Sequence, residues 1–306
     1  MESYDIIIVG AGPAGLTAGI YGGRARLRTL ILESMMPGGQ VVVTSHIENF
    51  PGAGSTTGTE LISRISEQVT QFGAETRTAE ARAIHVRDDA FEVETDSDTL
   101  QARSVIVATG TGYKKLGVPG EGEFLGRGVS YCATCDGPFY KDQEIAVVGG
   151  GDSALQEALY LTTFASHIYL IHRRDEFRAT PILQERVRAN DKIECFCSNT
   201  VERISGAGGV ESITLKDVKT GETREHPVAG VFLFVGLEPK TDFVRDLVRT
   251  APDGFILTDE DMKTNVRGIL AAGDCREKLL RQISTAVGDG ATAAFAAQRL
   301  IEDGEW

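Results

Sequence analysis

Cys132 and Cys135 stand two residues apart in the run YCATCDGPFY, at a position that reads as the start of a helix. A CxxC pair so placed closes a reversible disulfide, and the helix start lowers the pKa of one thiol. The competing chemistry is half of a zinc site, which needs two further ligands, usually a second CxxC or a pair of histidines. Cys195 and Cys197 are spaced CxC and the five histidines form no pair, so redox chemistry is the expectation and a metal is not. Asp136 follows the pair directly. It either shuttles the proton that thiol–disulfide exchange requires, or caps a helix or sits at the surface; the sequence leaves these readings level.

On either side of the pair the chain repeats one plan. IIIVGAGPAGLTAGIY runs a buried strand, Ile6 to Val9, into a turn of Gly10, Gly12 and Gly15 and then a helix of small residues. EIAVVGGGDSALQEALYLTTF does the same, with a strand over 145–148 followed by Gly149, Gly151 and Ala154. Such glycines let the backbone approach a pyrophosphate, and the helix N-terminus offers it free N–H groups and the positive end of a dipole. One match carries little, since plain βα units also turn on glycine; two, each between strand and helix, are hard to obtain by chance.

The residue at the end of the following strand reads the adenosine ribose. RTLILES places Glu33 there in the first unit. A carboxylate accepts from a ribose diol and repels a 2′-phosphate, which suits FAD or NAD. IYLIHRRDEFRA places His172, Arg173 and Arg174 at the equivalent point of the second, with Arg178 a helical turn further. Guanidinium groups pair with phosphate bidentately, so NADPH is expected here unless the run is only a solvated basic patch. A flavin in one pocket and a nicotinamide in the other form a hydride relay, whereas two nicotinamide sites make little chemical sense.

The elements that must position these groups follow from the apolar runs. SVIVATGTG (104–112) and GVFLFVGLEP (230–239) are later strands ending in glycine, and the second nucleotide unit lies between those ends. A further strand over 269–272 ends in Gly273-Asp274, and a helix from about 285 to 301 closes the chain. The expected fold is α/β: two Rossmann-like three-layer nucleotide-binding domains, the NADPH domain (113–242, carrying the CxxC) inserted into a discontinuous FAD domain (1–112 with 243–306). Connections near 113–118 and 237–242 read as a double-stranded hinge. Because nicotinamide and CxxC would share one domain and need one flavin ring, rotation about that hinge is expected to present them in turn.

The whole chain suits this plan. Its 306 residues accommodate two domains, and 42% hydrophobic with 25% charged residues describes a globular protein. A net charge of −13 argues against nucleic acid or an anionic membrane as partner. No apolar stretch approaches the ~20 residues of a membrane span, and MESYDIIIVG opens directly into a strand with no signal-peptide pattern, so a cytoplasmic location is expected. Five cysteines, an odd number, do not make a disulfide framework.

GAGPAG, PGGQ (37–40), ENFPG (48–52), CATCDG, GGGDSA, HRRDEFRA and the late GD…RQI come in an order and spacing that resembles the low-molecular-weight, bacterial-type thioredoxin reductases over essentially the whole chain. CATCDG followed by HRRxxFRA is the most specific part. The resemblance implies FAD contacts at Gly10, Gly12, Pro13, Ala14, Gly15, Glu33, Gly39, Gln40, Asn49, Thr109, Gly110, Gly273, Asp274, Arg281, Gln282 and Ile283, with Asp274 matching the acid that binds the ribityl chain. It implies NADPH contacts at Gly149, Gly151, Asp152, Ser153, Ala154, His172, Arg173, Arg174 and Arg178. Cys135 resembles the flavin-facing thiol, Cys132 the interchange thiol that attacks the protein substrate, and Asp136 the catalytic acid. A thioredoxin or thioredoxin-like acceptor and a homodimer are implied as well; the alternative is a relative fed by ferredoxin or serving a glutaredoxin- or peroxiredoxin-type partner. Cys195, Cys197 and Cys275 are read as having no redox role.

Overall fold

The computed structural model describes residues 1–44, 47–88 and 90–304. Two compact units form, Met1–Gly112 with Glu238–Trp306, and Tyr113–Leu237. Residues 238–242, assigned on sequence to the inserted unit, pack with the outer one.

In the outer unit the buried run Ile6–Val9 lies in β1 (Glu2–Val9), flanked on one side by β2 (Thr29–Glu33) and β3 (Glu75–Thr78), all parallel. On its other side lies the long β6 (Thr99–Val107). The N-terminal half of β6 pairs with the antiparallel hairpin β4 (Ala81–Val86) and β5 (Phe91–Thr95), and its C-terminal half with β17 (Ile269–Ala271). Strands buried on both faces read as unbroken apolar runs, and the alternation of β1 shows why. Ile6 and Ile8 face helices α1 (Pro13–Arg24), α2 (Gly58–Gln71) and α6 (Ile283–Asp303), while Ile7 and Val9 face a second core with Phe91, Val244 and Ile256. The start of α2 is a capping box in which the Thr57 hydroxyl accepts the Glu60 N–H at 3.2 Å.

The inserted unit is built on a five-stranded parallel sheet. Its strands are β8 (Val129–Ser130), β9 (Glu144–Gly149), β10 (His167–His172), β11 (Ile193–Cys197) and β15 (Gly230–Phe234), in the order β11-β10-β9-β15-β8. One face packs on α3 (Ala133–Asp136), α4 (Asp152–Leu161) and α5 (Pro181–Arg188) through Val147, Leu155, Leu170 and Phe232. The other face packs on an antiparallel meander, β12 (Asn199–Ser205), β13 (Ser212–Asp217) and β14 (Thr223–Pro227), through Val148, Ile171, Ile213 and Leu233. These are the layers of a Rossmann-like α/β fold. Where the chain passes from one unit to the other, β7 (Thr111–Tyr113) and β16 (Leu237–Pro239) pair as a short ribbon.

Helices α1 and α6 touch backbone to backbone, because a Cβ added at Gly290 would stand 2.1 Å from the carbonyl oxygen of Ala14. Gly290→Ala is therefore expected to push the helices apart and cost about 1–3 kcal/mol. A urea midpoint followed by far-UV circular dichroism and unchanged from wild type would refute this.

Candidate active site

The redox pair is held at one edge of the inserted sheet. Strand β8 ends at Ser130, and Cys132 is the N-cap of α3, its Sγ accepting the Cys135 N–H at 3.2 Å. The two cysteines form a disulfide with Cα atoms 5.4 Å apart. Ser130 braces the first of them: its Oγ accepts the Cys132 N–H at 3.0 Å and donates to the Cys132 carbonyl at 3.2 Å. Ala133 is buried, and a Cβ on Gly137 would meet Leu161 at 2.9 Å, so α3 is pressed onto the end of α4. Cys135 is exposed and Cys132 half-buried. Asp136 makes no side-chain capping bond, although it occupies the cap position of the next turn. Its charge, after burial, helps to raise the pKa of the Tyr140 hydroxyl.

The other cysteines lie elsewhere. Cys195 and Cys197 are on β11, the opposite edge of the same sheet from β8, and burial raises both thiols. Among the described residues no three His, Cys, Asp or Glu side chains gather as metal ligands. Cys275 is fully buried in the outer unit, donates to the carbonyls of Ala272 and Val107, and is pushed up to about 11 by burial.

A pair that the sequence did not announce supports the disulfide. The Tyr131 hydroxyl donates to Glu121 at 2.5 Å, and Glu121, 5% exposed, also accepts the N–H groups of Leu116 (2.8 Å) and Gly117 (2.6 Å). Burial alone would raise Glu121, but these donors hold its carboxyl below the usual range, while burial and then the Glu121 carboxylate push the Tyr131 hydroxyl up. The Tyr131 ring stacks on Tyr113 with centroids 5.8 Å apart. Only the adjacency of Tyr131 to Cys132 was visible beforehand.

The first glycine turn shows each residue's task. At Gly10, φ is +108° and a Cβ would stand 2.4 Å from the Ala108 carbonyl, at the crossing with β6. At Gly15 a Cβ would stand 1.8 Å from the Gly10 carbonyl, so the helix could not seat on the turn. Gly12 has nothing within 4 Å of a Cβ, and it caps α1 without any side-chain bond, with Pro13 and Ala14 beginning the helix. Free N–H groups thus face open ground, which suits a pyrophosphate. Glu33, at the end of β2, accepts the Ala11 N–H at 2.9 Å and so is fixed beside this turn.

Around it, Gln40 donates to the Thr111 carbonyl at 2.7 Å, just after Gly39. Asn49 donates to Gln282 at 3.0 Å, which with Ile283 begins α6. The Thr109 hydroxyl donates to the Lys240 carbonyl at 2.7 Å, next to an unobstructed Gly110 with φ +62°. Arg281 lies 3.9 Å from the Phe255 ring centroid and donates to the Asp274 carbonyl at 3.4 Å. Asp274 follows Gly273 and has a buried Oδ1 with no partner, and burial raises its carboxyl against the pull of Lys278 and Arg281. A hydroxylated chain such as ribityl supplies the missing donor, so the residues fit FAD.

In the second turn a Cβ on Gly149 would stand 2.5 Å from the Phe234 carbonyl, repeating the strand crossing of Gly10. Gly151 again caps its helix with no side-chain bond and open space around it, and Asp152, Ser153 and Ala154 begin α4. Asp152 is engaged by the Thr180 N–H at 2.6 Å. Arg173, Arg174 and Arg178 are exposed at the end of β10, and none pairs with a carboxylate among the described residues. Three unneutralised guanidinium groups beside an open helix N-terminus fit the extra phosphate of NADPH. His172 is different: it is buried beneath the turn, stacked on Phe177 at 5.5 Å, with Nε2 unpartnered, and burial lowers its pKa. A Cβ on Gly150 would collide with its ring at 2.2 Å, so it supports the loop from below.

On α4, Glu157 has no hydrogen bond or ion pair with a described residue, and burial pushes it up to about 7. A folded-state acid with a raised pKa keeps a proton that the unfolded chain, near 4.5, has lost. Stability therefore falls as pH rises from 4.5 to about 7 and is flat beyond, a loss of about 3 kcal/mol at most. Glu157→Gln is expected to raise the melting temperature at pH ~8 and leave it unchanged near pH ~4. Equal shifts at both values would contradict the assignment.

Comparison with known proteins agrees with this geometry. The family model for pyridine nucleotide-disulphide oxidoreductases matches residues 4–290. A thioredoxin reductase of Bacillus subtilis (strain 168) is 47% identical over 98% of this chain and 95% of its own. The crystal structure of Lactococcus lactis thioredoxin reductase superposes with a TM-score of 0.96 at 44% identity, covering 98% of this chain and 99% of that one. That of T. acidophilum thioredoxin reductase gives 0.94 at 34% identity, with coverages of 98% and 99%. With a disulfide on one nucleotide-type unit and a second such unit formed by the flanking stretches of chain, this chain belongs to the pyridine nucleotide-disulphide oxidoreductase family, among its thioredoxin reductases.

Proposed function

We propose that this protein is an NADPH-dependent thioredoxin reductase in which electrons leave through Cys132 and Cys135. The observation that carries the reading is the disulfide at the start of α3, in the unit whose other glycine turn faces three unpaired arginines. FAD, bound by the outer unit, supplies the two-electron carrier between NADPH and this disulfide. Gly10, Gly12 and the first turn of α1 bind its pyrophosphate, Glu33 the adenosine ribose and Asp274 the ribityl chain. Gly149, Gly151 and α4 bind the pyrophosphate of NADPH, while Arg173, Arg174 and Arg178 hold its 2′-phosphate.

Once reduced, Cys132 attacks one sulfur of the acceptor's disulfide as a thiolate. A mixed disulfide forms and the acceptor's other sulfur leaves as a thiolate. Cys135 then attacks Cys132, restoring the internal disulfide and releasing the second acceptor thiolate. Asp136, next to the pair in the chain, holds the proton exchanged in these steps; that it makes no side-chain capping bond supports this reading. The acceptor is a thioredoxin-type protein, and we infer a cytoplasmic homodimer, for which sedimentation is the direct test. No helix among the described residues is long and apolar enough to cross a membrane.

The decisive experiment is a steady-state assay of NADPH against NADH with thioredoxin-type, glutaredoxin-type and ferredoxin partners. Replacing Arg173 and Arg174 with glutamine removes charge-assisted bonds worth roughly 1.5–3 kcal/mol each. The Michaelis constant for NADPH is expected to rise more than about tenfold and that for NADH to stay nearly constant. Equal losses with both coenzymes would mean that these arginines do not read the phosphate.

The two cysteines are expected to fail differently. In Cys135→Ser, NADPH still bleaches the flavin absorbance but no protein disulfide is reduced. In Cys132→Ser, Cys135 still interacts with the flavin, and no mixed disulfide with the acceptor forms at residue 132. Wild-type turnover in either variant would sink the dithiol mechanism.

A further inference from the structure

Asp289, in the second turn of α6, is the acid of a buried ion cluster in the outer unit. Its Oδ2 accepts the Lys278 ammonium at 2.6 Å and the Gly273 N–H at 3.0 Å, and its Oδ1 accepts the Arg276 guanidinium at 3.1 Å. The three side chains are between 8% and 13% exposed. Arg276 is held in turn by the Thr258 hydroxyl at 2.9 Å. Burying such a group is expensive, and the cluster is better explained by the geometry it holds than by net stability.

That geometry is the turn before Asp274. Gly273 has φ +79°, and a Cβ there would stand 2.8 Å from the Cβ of Ala14, so the turn runs against the first turn of α1. Asp289 is the acceptor for the N–H of this residue. The next residue carries the buried, partnerless Oδ1. Lys278 serves both acids: it neutralises Asp289 directly and also acts on Asp274, where Arg281 is the second favourable charge and Asp289 the unfavourable one.

We propose that Asp289 is a positioning residue for the flavin: gripped by Lys278 and Arg276, it fixes the Gly273 N–H so that Asp274 offers its free oxygen to the ribityl hydroxyls. This rests on the assignment of FAD to the outer unit. The side chain of Asp289 is taken up by Lys278, Arg276 and the Gly273 N–H, so its effect passes through Asp274.

The test is FAD binding to the full chain, stripped of flavin and retitrated by fluorescence quenching, with a circular dichroism check of folding. Asp289→Asn is expected to weaken FAD about tenfold or more, as does Asp274→Asn. The double variant is expected to bind no more weakly than Asp274→Asn alone, since both act through one contact. In Lys278→Met, Asp274 keeps only Arg281 against the nearby Asp289. The loss of FAD affinity between pH ~8 and ~6 is then expected to be steeper than in the wild type. Additive losses in the double variant, unchanged affinity in Asp289→Asn, or a wild-type pH profile in Lys278→Met would each overturn the proposal. Should Asp289→Asn fail to fold, the Lys278→Met profile decides alone. A wild-type chain that binds no FAD would instead overturn the flavin assignment.

Discussion

The N-termini of α1 and α4 have no side chain to bond their free N–H groups, and this single deficit organises both units. A helix start left uncapped is tolerable only where water or an anion completes it. For an anion as large as a pyrophosphate, the ground ahead must stay clear and the chain must turn sharply away. Gly12 and Gly151 keep it clear, and Gly10 and Gly149 let the turn pass against Ala108 and Phe234 with no room for a side chain. The strand order then places an acidic side chain beside the first turn and basic ones beside the second, at the ends of β2 and β10. On the proposed assignment, nucleotide choice follows from which charge the neighbouring strand delivers to an otherwise common turn.

Buried and half-buried acids around these pockets differ in how they are compensated, and the difference separates supports from contacts. Asp289 has two cations and a backbone N–H, and Glu121 has a tyrosine hydroxyl and backbone donors. Both have their donors within the protein, and each holds a neighbouring segment, the Gly273 turn before Asp274 in one unit and Tyr131 before Cys132 in the other. Asp274 and Glu157 lack such completion, and burial raises both. A buried acid left without donors is costly unless something outside the protein supplies them, which is why Asp274 reads as a contact.

Within the inserted unit the functional groups occupy different strands of one sheet. The arginines follow β10, the glycine turn follows β9, and the disulfide follows β8 at the edge. All lie past the C-terminal ends of parallel strands, where open α/β sheets bind their ligands. The edge position leaves Cys135 exposed while Ala133 and Gly137 anchor its helix against α4.

By itself, the sequence determined whatever is set by local physics. Glycine at Gly10 and Gly15 is demanded by backbone geometry, Cys132 and Cys135 are close because two residues separate them, and the apolar runs of β1 and β9 have the length and composition of strands buried on both faces. The places of Glu33 and the arginines, at or just past strand ends, were legible because those ends fall at a readable distance from each glycine turn. Tertiary structure alone decided burial and partnership between distant segments. His172 belongs to the same HRR run as the arginines, yet it lies under the loop while they face solvent. Nothing in the sequence around Asp289 or Glu121 marks them as buried, because their surroundings come from elements that fold onto them from elsewhere in the chain. A charged side chain reads as surface until packing encloses it, and whether it then becomes a support or a liability depends on donors that only the folded chain brings within reach.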